Sequence, residues 1–278
     1  MITVLLSLGA ALAYGLSDFL GGVISRRTSV WPVAMLACAG AALGTLVLAV
    51  TVSGTATGAD IAWGLLAGVG SGTGTAFLYR GFAKGRMGVV APVSAVGAAL
   101  LPAAIAVLTG ERPSAVVWVG IVAALPGIWL VSREPATDAS AGRAAGFLDG
   151  ILAGAGFGVL FAALGQVPDG SGYWPVMAAQ IVSLISVVVA ALLLGGDPRP
   201  RQVEAWWGLA AGLLATLAVV AFLLATHEGL LSVAAVLTSL YPAFTVLLAT
   251  LLLGERLHRS QTIGLALCAV SVACVAAG

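Results

Sequence analysis

Residues 230–253 read LLSVAAVLTSLYPAFTVLLATLLL, and Gly254-Glu255-Arg256 follows at once. No charge interrupts that run, and about 20 largely apolar residues are what a helix needs to cross ~30 Å of hydrocarbon. Residues 87–109 make an equally uncharged run, which closes on Gly110-Glu111-Arg112, 144 positions earlier. Two membrane-length segments ending in the same tripeptide pose two questions: how many such segments there are, and whether the chain is a duplicate.

Working outward, apolar runs lie at 2–23, 30–53, 61–83, 87–109, 115–132, 146–165, 173–195, 205–227, 230–253 and 260–277. The reading is an all-α integral membrane protein of ten transmembrane helices. The register extends along the chain. Trp31-Pro32-Val33 returns as Trp174-Pro175-Val176 at offset 143, with Gly15 falling on Gly158 and Tyr14 on Phe157. Trp63-Gly64-Leu65 returns as Trp207-Gly208-Leu209 at offset 144, and Ala67-Gly68, Gly85 and Gly120 find Ala211-Gly212, Gly229 and Gly264. Such self-similarity marks a duplication. Residues 1–132 form the first five-helix repeat, 133–145 a connection, and 146–278 the second repeat.

Five is odd, so the second copy enters the bilayer from the opposite side. Inverted repeats of this kind are a transporter architecture, with the site between them near the midplane. Matching connections have exchanged charge, Arg26 against Asp169 and Lys84 against Glu228. The odd-numbered connections carry Arg26, Arg27, Lys84, Arg86, Arg133, Arg143, Arg199, Arg201, Arg256 and Arg259, the even-numbered ones only Arg112. The positive-inside rule then places the odd connections in the cytoplasm and both termini outside.

Composition excludes most other classes. Charged residues are 8% of the 278, the AVILMFWYC set is 60%, and 37 are glycine; a soluble domain carries roughly 25% charge. A soluble enzyme, a nucleic-acid binder and a disordered chain are ruled out. The longest polar stretch between spans is Arg133–Arg143, too short for a soluble domain. An ATP-cradling loop needs Gly-Lys-Ser/Thr, and the sole lysine, Lys84, follows Ala83. Cys38, Cys268 and Cys274 lie in apolar runs, odd in number and unsuited to a disulfide framework. His227 and His258 sit at helix ends, so neither metal site nor cofactor is expected.

With these residues in view the sequence resembles the EamA group of the drug/metabolite transporter superfamily. The resemblance rests on the five-plus-five duplication, the two Gly-Glu-Arg closures and Tyr14-Gly15 followed by Phe19 in span 1. It implies a secondary carrier of small metabolites or drugs, often an exporter, in the bacterial inner membrane, with a cavity lined mainly by spans 1, 3, 4, 6, 8 and 9. Two departures stand out: Tyr14 occupies a place where the group suggests Trp, and the group's termini are usually drawn in the cytoplasm.

Asp18 leads the candidate site residues, because an ionisable group inside a span is a functional hypothesis by default. Tyr14, Ser17 and Asp18 share one helical face. Their counterparts Phe157, Leu160 and Phe161 are apolar, so the scaffold does not require polarity there. Asp18 could bind substrate, exchange a proton, or reach the interface and balance Arg26 or Arg27. Tyr79, Gln180, Thr238 and Tyr241 complete the substrate or proton-binding candidates. Arg80 could bind an anion or snorkel to the interface. Pro92, Pro102 and Pro242 are candidates for kinks or gates, since proline cannot donate to the helix ladder. Glu111 and Glu255 read as caps or interface anchors. The leading expectation is alternating access; the rivals are a passive channel or lipid-flipping protein and, far behind, an intramembrane enzyme. The partners expected are a small-molecule substrate and the lipid bilayer.

Overall fold

The computed structural model describes residues 1–25, 27–83, 87–132, 143–254 and 256–278, without the side chains of 79, 81–83, 87–89 and 143–146. Among the described residues eleven α-helices make ten spans: α1 (Ile2–Ser25), α2 (Val30–Thr51), α3 (Gly58–Ala83), α4 (Met87–Leu108), α5 (Ala115–Ser132), α6 (Arg143–Leu164), α7 (Trp174–Leu193), α8 (Gly208–His227), α9 (Leu231–Thr238), α10 (Tyr241–Leu253) and α11 (Arg259–Ala277). Each span is apolar and long enough to cross a bilayer. Large apolar side chains such as Leu43, Val47, Leu66, Val119, Leu217 and Leu251 stay exposed on the outside of the bundle. Lipid is the solvent that tolerates such a surface.

Span 9 is built from two α-helices, α9 and α10, whereas span 8 runs from a 3-10 turn at Val203–Trp207 straight into α8. Pro242 has no N–H to offer the carbonyl of Thr238, so the ladder loses a bond there. The chain tightens instead: Leu240 N–H turns back to Leu237 O at 3.2 Å, and Ala243 N–H to Leu240 O at 2.9 Å. Pro92 and Pro102, by contrast, lie inside an uninterrupted α4. Of the three prolines expected to kink or gate, Pro242 alone breaks a helix.

The helices pair chiefly across the repeats. Each pairing has a counterpart with the repeats exchanged: α3 on α6 and α8 on α1, α3 on α7 and α8 on α2, α4 on α6 and α9–α10 on α1. α5 and α11 pair with one another. This is the pseudo-two-fold of an inverted duplication. Close approach is possible because glycine leaves the backbones bare at the crossings; a Cβ on Gly68 of α3 would stand 2.5 Å from Ala179 O of α7.

The connections divide between two faces. On the even face, Thr55 N–H bonds Gly170 O at 3.0 Å and Ser171 Oγ donates to the buried Asp60 at 3.1 Å. There too Thr3 Oγ1 donates to Glu228 O at 3.0 Å. The odd face gathers the first and seventh connections, which together form a pocket lined by Thr28, Ser29, Asp197, Arg199 and Gln202.

Candidate transport site

α1 supplies the centre of the site. One side of it is fixed by Ser17, whose hydroxyl donates to Ala211 O of α8 at 2.9 Å. Ser17 is buried by that contact, so it joins two helices and does not line open space. The next side is fixed by Gly15, where a Cβ would meet Phe244 Cβ at 2.6 Å and Tyr241 O at 2.9 Å. α10 thus lies directly against α1.

Between these two contacts Tyr14 and Asp18 project one turn apart. The Tyr14 ring meets Phe161 of α6 edge-on at 6.1 Å and Tyr241 of α10 at 6.2 Å. Phe161 continues the aromatic wall to Phe222 of α8 at 4.7 Å. Asp18 is exposed and near enough to both phenols to interact with them electrostatically. Among the described residues no hydrogen bond or ion pair engages its carboxylate. Of the two partners considered for it, Arg26 lies outside the described residues and Arg27 makes no ion pair with it.

Tyr241, which the sequence singles out apart from the Tyr14–Asp18 face, therefore converges on it. The others do not join them. Gln180 is half-buried on α7, whose packing partners are α2 and α3. Thr238 is fully buried, and neither its hydroxyl nor that of Ser239 has a hydrogen-bond partner among the described residues. The Tyr79 side chain lies outside the described residues.

One ion pair escapes a reading of the sequence. Arg80 of α3 donates through Nε to Asp149 Oδ1 of α6 at 2.8 Å, and a second time through its terminal NH2 group. The guanidinium also lies 4.6 Å from the Phe77 ring centroid. Arg80 is thus committed to a carboxylate that is 1% exposed, which accounts for its place in the span better than an anion site or snorkelling. Removing one partner of a fully buried pair costs about 3–5 kcal/mol; Arg80 is itself 31% exposed, so the loss here falls below that range. Asp149→Asn should lower the thermal midpoint of the purified protein clearly; an unchanged midpoint would mean that Arg80 finds water instead.

Packing density differs between the two ends of the site. All eight residues of α9 are buried, whereas α10 buries only Ala243. Leu160–Leu164 at the even end of α6 are all buried. In α1, burial concentrates between Thr3 and Ala11, and Asp18 lies beyond it. Side chains are therefore packed more densely at the even end of the site than at the odd end, where Asp18 lies.

Ten spans in an inverted duplicate, with a carboxylate at the repeat interface that has no hydrogen-bond or ion-pair partner among the described residues, fit the architecture of inverted-repeat transporters. Residues 144–277, which cover the second repeat, match the EamA-like transporter family. That match covers 134 of the 278 residues, so it is the second half of the chain that is similar to this family. A solved crystal structure of another protein shares the fold, with a TM-score of 0.72 at 17% identity over 98% of this chain and 95% of that one. Among curated proteins, no sequence matches this chain.

Proposed function

We propose that this protein is a secondary carrier that exports small metabolites or drugs by alternating access, and that Asp18, Tyr14 and Tyr241 bind the solute and exchange a proton. The observation that carries this reading is the placement of Asp18: exposed, free of any partner among the described residues, and flanked by two phenols where the repeats meet. A carboxylate bounded by aromatic faces suits a cationic or zwitterionic solute, because ring faces attract cations. The densely packed even face and the exposed Asp18 fit one of the two states that alternating access requires.

Purified protein in proteoliposomes should show saturable counterflow when screened against a metabolite panel. Flux linear in concentration, with no counterflow, would favour the passive channel, and lipid scrambling without solute flux the lipid-flipping reading.

Orientation follows from charge. Arg27, Arg80, Arg199, Arg201, Arg256 and Arg259 stand at the odd ends of their spans and Arg112 at an even one. The odd face belongs in the cytoplasm of a bacterial cell by the positive-inside rule, which makes the state described inward-facing. A cysteine introduced at the exposed Arg199 should react with an impermeant maleimide only after the cells are opened. Labelling in intact cells would reverse the orientation and leave the inverted fold untouched.

A further inference from the structure

We propose that Glu111 is the latch of the even-face gate, holding the front half of span 9 shut until the carrier turns over. Glu111 follows α4, yet its carboxylate lies across the bundle at the start of α9. Leu231 N–H donates to its Oε1 at 2.6 Å, Ser232 N–H to its Oε2 at 3.1 Å, and Ser232 Oγ to the same oxygen at 2.6 Å. Both carboxylate oxygens are thus used on one helix terminus.

The bonds have a physical reason. The first N–H groups of a helix lack partners within it, and the α9 terminus carries partial positive charge. An anion there forms charge-assisted bonds, the stronger kind. The residue itself comes from the other repeat. The connection therefore does more than cap a helix: it ties the end of span 4 to the beginning of span 9, and these spans also pack on one another.

What the tie holds is the densely packed end of the site. α9 is the segment with every residue buried. Its entrance is wedged further by Gly229 against Thr3 of α1 and by Leu231 against Gly165. Opening the even face requires α9 to leave this packing, and the Pro242 break lets it move without carrying α10 along. The Glu111 bonds must part in the same event. Glu111 acts on the gate and does not touch solute; it is a positioning residue, and this role rests on the alternating-access reading.

The test follows α9 directly. In a variant with Cys38, Cys268 and Cys274 replaced, Ser7→Cys puts one near-isosteric thiol at a fully buried position of α1, one turn from Thr3. An impermeant maleimide admitted to the even face reports opening by its labelling rate. Glu111→Ala removes all three bonds and should raise that rate well beyond the roughly tenfold that the loss of one charge-assisted bond corresponds to. Ser232→Ala, which removes only the hydroxyl bond, should raise it less. Solute counterflow, measured in parallel, should persist with altered rate. Unchanged labelling in both variants, with counterflow intact, overturns the latch and spares the carrier. Absence of counterflow in the parent overturns the carrier reading on which the latch rests. If Glu111→Ala fails to fold, Ser232→Ala and Glu111→Gln decide: labelling at the parental rate in both rejects the latch.

Discussion

Asp18→Asn is expected to reduce gradient-driven transport to the level of protein-free vesicles while solute exchange without net proton movement continues. Asparagine keeps the shape of the side chain and can still hydrogen-bond, but it cannot ionise. Coupling to a proton gradient needs a group that loses its proton to one compartment and regains it from the other. Among the residues that converge at the site, Asp18 is the carboxylate placed to do this. The variant should also fold at least as well as the parent, since a charge that is costly within the membrane has been removed. Transport that still responds fully to an imposed pH step would exclude Asp18 from coupling. Loss of folding would instead reveal a structural partner near the odd end of α1.

Gly72→Leu should act on the fold with comparable force. A Cβ at this position would run into the side chain of Ser186 on α7, and leucine adds three carbons beyond it. One turn below, Gly68 faces Ala179 O and Val182 equally closely, so α3 cannot slide along α7 to make room. The helices must part, at a cost of about 3 kcal/mol or more. Folded yield by size-exclusion chromatography should collapse. Gly9→Leu is the control, because a Cβ at Gly9 meets nothing within 4 Å. Equal behaviour of the two variants would show that the glycine face of α3 does not set the helix spacing.

The sequence discloses the spans and the inverted duplication because both are written in short-range patterns. Apolar length defines a span locally, and repeated tripeptides such as Gly110-Glu111-Arg112 need only be aligned with themselves. The Tyr14–Asp18 face and Tyr241 are each visible as polar residues where polarity is expensive. Their convergence is not, since 223 positions separate Asp18 from Tyr241 and nothing local encodes which helices touch. Asp149 escapes notice because it lies close to the start of its span, where a carboxylate reads as interfacial; its commitment to Arg80 is a property of how α3 meets α6. Ser17 shares a face with Asp18 in projection, but its hydroxyl donates to Ala211 O of α8, a contact that no local pattern encodes. Glu111 is legible as a cap, while the helix it caps, over a hundred residues downstream, is not.

The cross-repeat pairing of helices has a consequence for biosynthesis. α1 finds its main neighbour in α8 and α3 in α6 and α7, so the first repeat makes few of its final contacts within itself. At ~5–20 residues per second, the roughly 180 residues between Ser25 and Gly208 take about 10–40 s to emerge. Throughout that interval the glycine-rich faces of α1, α2 and α3 are laterally exposed in the membrane. Assembly therefore has to wait on translation, and the first five helices on their own should be a substrate for membrane quality control, not a folded half-protein.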